Sequence, residues 1–311
     1  SDALRTRPLR EMAGGGRIIE GVLLVNKPSG PTSHDVVDEA RRALGIKRVG
    51  HAGTLDPFAD GLLVILVGRA TRLAEYLTGY DKAYRARVRL GVTTDTDDGT
   101  GAVLEEIAVA EFSVEEIESV LARFEGKIRQ RVPVYSAVKV DGERLYRRAR
   151  RGAGVNAPVR EVEIYSISTV EYDPPEITFE VKCSSGTYVR ALARDIGDAL
   201  GCGAHLVALT RTRVGPYKLA GAISVGELQA GDVGAWRANN AFVPAAEMLP
   251  DFPAVGITDE DASVLVHGRD VPLPIADVDD GALVKLVLDG HLAAVGRVTG
   301  DFVRPVKVFI T

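Results

Sequence analysis

The sequence predicts an α+β chain, with a mixed, mainly antiparallel sheet and a few amphipathic helices over residues 17–249 and a small β domain over 250–311. Three observations carry this reading. Tyr84, Ala86, Val88 and Leu90 alternate with Arg85, Arg87 and Arg89, the period-two pattern of a strand with one buried face. Strand-like runs succeed one another with few helices between them, which argues against repeated βαβ units. Near the C-terminus, apolar runs at 282–288 and 292–298 flank Asp289-Gly290, a strong hairpin signal.

The elements follow in order. Residues 1–16 place Arg5, Arg7 and Arg10 among small residues ahead of a glycine triplet and read as a flexible leader. An apolar strand at 18–25 is closed by Asn26-Lys27-Pro28-Ser29-Gly30-Pro31, where two prolines and a glycine enforce a turn. Ser33 is expected to cap a helix whose Val36, Val37, Ala40 and Leu44 share a face, with Gly45 as its stop. Residues 50–61 are loop-like, and the apolar run at 62–67 suits a buried strand. Helices are expected over 70–77, from the Ser113/Glu116 capping box to about Phe124, and over 188–200. Alternation marks further strands around 162–164 and 177–181, and after Pro250 the chain reads as short β pieces separated by turns.

With 311 residues, 46% of them hydrophobic, the chain suits one large domain or two unequal ones. No apolar run approaches the roughly eighteen residues that a membrane helix needs. The net charge of -5 would argue against a nucleic-acid partner if it were evenly spread. It is not: residues 17–249 carry thirty bases and thirty-one acids, while 250–311 carry five bases and ten acids. Within the larger part, residues 95–125 hold ten acids against Arg123, and residues 127–160 hold ten bases against Asp141 and Glu143. Such a basic arm can neutralise phosphates on an acidic chain, because screening confines each field to about 8–10 Å.

Cys183 and Cys202 are too few for a disulfide framework, and no signal peptide is legible at the N-terminus, so a cytoplasmic setting is expected. Cys202 and His205 are spaced like half a metal site, but no second pair accompanies them, and no metal is expected. P-loop, dinucleotide-binding, H-E-x-x-H and G-x-S-x-G motifs are absent from the sequence. Ser136-Ala137-Val138-Lys139 has the S-x-x-K spacing of an acyl enzyme but lacks the companion motifs of that class.

The richest stretch is Gly50-His51-Ala52-Gly53-Thr54-Leu55-Asp56-Pro57-Phe58-Ala59-Asp60-Gly61, with two carboxylates, a histidine and three glycines between regular elements. On its own, Asp56-Pro57 is a common turn. Together with other stretches it resembles the TruB family of pseudouridine synthases. Those stretches are Val25-Asn26-Lys27-Pro28-Ser29-Gly30-Pro31-Thr32-Ser33-His34-Asp35, Asp81-Lys82-Ala83-Tyr84, Tyr135 to Lys139 with Leu145 to Arg150, and Gly186 to Asp195, all in family order. The resemblance extends over residues 18–311, and five motifs in order are far more specific than any one. Gln130-Arg131-Val132-Pro133 departs from the pattern, with one proline where the family usually has two.

The resemblance implies a pseudouridine synthase fold with a PUA-like C-terminal domain, and isomerisation of the T-loop uridine of tRNA at position 55 by base flipping. Asp56 matches the catalytic aspartate, acting either at the base or at the sugar. Arg190 matches its arginine partner, and Tyr84 the tyrosine that stacks on the target base, with removal of the C5 proton as a further role. His51 matches the residue that fills the vacated stack; Lys27, Tyr188 and Leu209 match others lining the pocket. The arginine-rich 144–160, including Arg147, Arg148 and Arg150, resembles a mobile loop that closes over RNA. Any contact from the acidic C-terminal domain is expected through Arg297, Arg304 or Lys307. No cofactor is implied, because the isomerisation needs neither redox change nor an external group. A monomer with tRNA as partner and no obligate protein partner is expected. The rivals are a non-catalytic RNA-binding protein and a guide-RNA-dependent synthase. Retention of Asp56, Tyr84 and Arg190 speaks against the first, and the short acidic end against the second.

Overall fold

The computed structural model describes residues 19–136, 157–273 and 278–310, together with the backbone of 139–140 and 143–144. The first half of the chain runs β1 (Gly21–Lys27), α1 (Ser33–Leu44), β2 (Val49–His51), β3 (Asp60–Val67), α2 (Ala74–Thr78), β4 (Lys82–Leu90), β5 (Val92–Thr94), β6 (Val103–Glu106), α3 (Val114–Ala122) and β7 (Gly126–Arg131). It continues through β8 (Lys139–Val140), β9 (Glu143–Arg144), β10 (Val159–Asp173), β11 (Glu176–Cys183), α4 (Val189–Ala199), β12 (Ala204–Val214), β13 (Tyr217–Lys218), β14 (Ile223–Ser224), α5 (Val225–Ala230), α6 (Val233–Ala238) and β15 (Phe242–Pro244).

Eleven strands form one sheet in the order β14-β1-β3-β12-β4-β11-β10-β7, with β13, β15 and β2 paired off this path. Most pairings are antiparallel, and β1 with β14 and β3 with β12 are parallel, which makes the sheet mixed as expected. In β4 the alternation is realised: Tyr84, Ala86, Val88 and Leu90 are buried and Arg85, Arg87 and Arg89 exposed. In β1 and β3 successive residues feed opposite cores. Leu23, Val25, Leu63 and Ile65 pack with α1 and α4 on one face, whereas Val22, Leu24, Leu62, Val64 and Leu66 pack on the other with Leu73, Leu77 and Met248. Two covered faces are why residues 62–67 read as an unbroken apolar run.

Two local expectations are corrected. The cap of α1 is Thr32, whose hydroxyl accepts from the Asp35 amide while the Asp35 carboxylate accepts from the Thr32 amide. Ser33 is the first helical residue and turns its hydroxyl inward. Over 70–77 the chain forms a 3-10 turn at Gly68–Leu73 before α2, yet Ala70, Leu73 and Leu77 still face the core. Gly45, at φ 64, ends α1 in the left-handed conformation as the sequence implied.

Beyond β15 a second sheet takes over, built from β16 (Ala254–Gly256), β17 (Val271–Pro272), β18 (Leu283–Leu288), β19 (His291–Thr299) and β20 (Phe302–Val308) in the order β16-β18-β19-β20-β17. Asp289 and Gly290 both adopt positive φ, 48° and 78°, and close the β18–β19 hairpin. A short helix, α7 (Asp259–Leu265), interrupts what the sequence read as β pieces alone; Thr258 and Asp261 form its capping box. This sheet has its own core of Val255, Leu265, Val284, Leu286, Val298 and Val303. Leu292, Val295 and Phe309 pack instead against the larger sheet's second core. Arg69 donates to the Phe309 carbonyl, Arg72 donates to that of Val308, and Lys307 pairs with Glu75. Lys307 is thus engaged at this junction, while Arg304 faces Asp270 at 3.4 Å and Arg297 donates to the Gly281 carbonyl at 2.6 Å. Among the described residues no helix is long and apolar enough to cross a membrane.

Candidate active site

The loop between β2 and β3 is held from several sides. The Ser33 hydroxyl accepts from the Leu55 amide at 2.9 Å and donates to the Leu55 carbonyl at 3.0 Å. Lys27, fully buried at the end of β1, donates to the carbonyls of Pro28, Pro31 and Pro57 at 2.8, 2.9 and 3.3 Å, which ties the proline turn to this loop. From β12, Arg211 donates to the carbonyls of Gly53 and Thr54. Loop residues on both sides of Asp56 are therefore anchored, and its side chain is 39% exposed.

Arg190, in the first turn of α4, faces that carboxylate. Its Nε lies 3.0 Å from Asp56 Oδ2, its Nη1 lies 3.3 Å from Asp98 Oδ2, and its Nη1 and Nη2 donate to the carbonyls of Thr96 and Tyr135, each at 3.1 Å. Asp98 is itself fixed, since its Oδ1 accepts from the Thr96 hydroxyl and from the Thr100 amide and hydroxyl. One helical turn on, Arg194 pairs with Asp97 at 2.9 Å and with Asp195 at 2.8 Å. Burial pushes the Asp56 pKa above the ordinary aspartate value; Arg190 opposes that rise and Asp98 adds to it. The result is a partly exposed carboxylate whose charged form is favoured by Arg190 first and by Lys27 after it.

Tyr84 is buried on β4, and burial raises its phenol pKa against the opposing pull of Arg211, so the ring carries its proton at neutral pH. Leu209 is buried in the same core cluster as Tyr84 and Leu55. His51 is half-buried; burial, then Arg211 and His34, lower its pKa and favour the neutral imidazole. Tyr188 precedes α4 and is held through its backbone, which exchanges hydrogen bonds with the Gln130 amide at 3.1 and 3.3 Å. Arg147, Arg148 and Arg150 lie outside the described residues. Cys202 is buried, and His205 Nδ1 lies 2.9 Å from the Val92 carbonyl.

Family comparison decides what this geometry belongs to. A family model described as the N-terminal domain of TruB family pseudouridylate synthase matches residues 41–189, and one described as the tRNA pseudouridylate synthase B C-terminal domain matches 190–239. A curated relative named tRNA pseudouridine synthase B, from Symbiobacterium thermophilum, is 47% identical over 253 residues, covering 80% of this chain and 82% of its own. The chain belongs to the TruB family.

A second relative of the same name, from Azoarcus sp., is 40% identical over 296 residues, covering 95% and 96% of the two chains. Among solved structures, a chain from an H/ACA ribonucleoprotein bound to a substrate RNA containing 2'-deoxyuridine superposes with a TM-score of 0.70 at 28% identity, covering 94% of this chain and 85% of its own. A chain from a Cbf5-Nop10-Gar1 complex gives the same TM-score at 30% identity, covering 93% and 85%. The TruB architecture thus extends over most of the chain. Three residues that organise this candidate site, Ser33, Asp98 and Arg211, were not among the sequence-level candidates. For Arg211 the available signal was an arginine at the same strand parity as the apolar Leu209.

Proposed function

We propose that this protein is a tRNA pseudouridine synthase that isomerises the T-loop uridine at position 55. The observation that carries the proposal is the contact between the partly exposed Asp56 carboxylate and the buried Arg190, backed by Asp98. In the proposed reaction the C1′–N1 glycosidic bond breaks, the base turns, a C1′–C5 bond forms, and the proton that leaves C5 is matched by one gained at N1. Composition and oxidation state are unchanged, so no cofactor is consumed. The target nucleotide must leave its stack for this to happen. Asp56 starts the reaction as an ionised carboxylate, Arg190 keeps it ionised and oriented, and Tyr84 stacks on the base as a neutral ring. His51 fills the stack that the uridine vacates, and Lys27, Tyr188 and Leu209 shape the pocket.

The protein acts in the cytoplasm, as a monomer on tRNA, without a guide RNA or an obligate protein partner. The relatives at 40% and 47% identity carry the tRNA pseudouridine synthase B name, whereas the chains from the H/ACA ribonucleoprotein and the Cbf5-Nop10-Gar1 complex stand at 28% and 30%. A non-catalytic RNA-binding role would require neither a carboxylate in the pocket nor a buried guanidinium to hold it. The test uses purified protein and two tRNA transcripts, one with uridine and one with cytidine at position 55. Pseudouridine in the first and none in the second supports the proposal, and product elsewhere in both refutes the site assignment.

A further inference from the structure

Arg211 is 1% exposed and lies beneath the loop that carries Asp56. Its Nε donates to the Leu62 carbonyl at 2.8 Å, its Nη2 to that of Gly53 at 3.0 Å and its Nη1 to that of Thr54 at 3.3 Å. Gly53 and Thr54 stand just before Leu55-Asp56, and Leu62 stands just after the loop, so one planar fork holds both ends. The strands fit closely here. Gly61 has φ 100, and a Cβ on it would lie 2.4 Å from the Arg211 carbonyl oxygen. Among the described residues Arg211 makes no ion pair, and all three of these partners are neutral carbonyls. A buried cation without a counter-ion is costly, and a loop can be fastened with neutral donors, as Ser33 does at Leu55. What the guanidinium adds is a rigid, planar set of donors that fixes three carbonyls relative to one another.

We propose that Arg211 is a positioning residue for the reaction: it sets the loop so that the Asp56 carboxylate meets Arg190 instead of swinging out to solvent. This rests on the reading of Asp56 as the reactive carboxylate. Arg190 holds the carboxylate directly, and Arg211 holds the backbone that delivers it.

The test is single-turnover kinetics of wild type, Arg211→Lys and Arg211→Gln on an unmodified T-arm stem-loop, across pH. Loss of the fork should slow the chemical step about 100-fold, the effect of a misplacement near 1 Å, with the RNA dissociation constant changed less than about threefold. The acid limb of the rate profile should move to lower pH, because a carboxylate that swings out to solvent loses the burial that chiefly raises its pKa, a larger effect than the loss of Arg190. Arg213→Gln, on the same strand as Arg211, removes an ion pair with Asp81 just before β4 and should leave rate and limb in place. An Arg211→Lys rate within about threefold of wild type, or a rate loss with an unmoved limb, overturns the proposal. If neither Arg211 variant folds, hydrogen exchange on the wild type decides: Arg211 Nε–H should be as protected as the Leu55 amide, and exchange as fast as at Arg213 overturns the idea. Wild type that makes no pseudouridine would instead overturn the reading of Asp56 itself.

Discussion

The Arg190 Nε lies 3.0 Å from Asp56 Oδ2, and the same guanidinium reaches Asp98 at 3.3 Å, so one buried cation serves two carboxylates, one partly exposed and one buried. Arg190→Lys keeps the charge but cannot satisfy Asp56, Asp98 and the carbonyls of Thr96 and Tyr135 together. It should slow turnover by at least about tenfold, the equivalent of roughly 1.4 kcal/mol, while leaving RNA affinity near wild type. Arg190→Met leaves Asp98 buried and unpaired and should destabilise the fold by about 3–5 kcal/mol, read by urea denaturation.

The raised pKa of Asp56 gives a second prediction. The chemical step should fall as pH drops through that pKa, with an acid limb above the ordinary aspartate value of 3.8. Stability moves the other way. Between 3.8 and the raised value the folded state keeps a proton that the unfolded chain has lost, so rising pH through that window destabilises the fold. Asp56→Asn removes this effect, and its stability should rise relative to wild type over the same window. Parallel denaturation curves would show that burial does not perturb Asp56.

Lys82 provides a check away from the pocket. It is 6% exposed, donates to the carbonyls of Thr78 and Tyr80 at 2.7 and 2.5 Å, and burial lowers its pKa to about 8. The unfolded chain holds its proton up to about 10.5, so the penalty is fully present below pH 8 and is relieved as pH rises from 8 to 10.5. Wild type should therefore become more stable relative to Lys82→Met across that interval, and a constant difference would contradict the shift.

The basic arm is tested by salt. Neutralising Arg147, Arg148 and Arg150 should weaken RNA binding and flatten its salt dependence by about one unit of slope for each phosphate that is no longer neutralised. An unchanged slope would mean that the arm faces away from RNA.

The sequence made legible what local chemistry determines. The alternation in β4, the Gly45 stop, the Asp289-Gly290 turn and the Ser113/Glu116 box all depend on residues within a few positions of one another. At Thr32-Ser33 two good capping residues stand side by side, and the cap fell to Thr32 because Ser33 is drawn inward to Leu55, twenty-two residues away. The Ser224/Glu227 and Thr258/Asp261 boxes open helices too short for apolar periodicity to show. Asp56 and Arg190 were legible through family motifs. Asp98 and Arg211 were not, because their partners lie in distant segments and only the sheet brings them together. Asp97 and Asp98 fall within the acidic stretch 95–125, and nothing local says that Asp98 turns inward to Arg190.

The most direct measurement is chemical mapping of pseudouridine in an unmodified T-arm stem-loop after incubation with purified protein alone, in parallel for wild type and Asp56→Asn. The account predicts product at a single loop uridine with wild type, and none with Asp56→Asn despite RNA binding within a few fold. Absence of product with wild type, or product with Asp56→Asn, would contradict it.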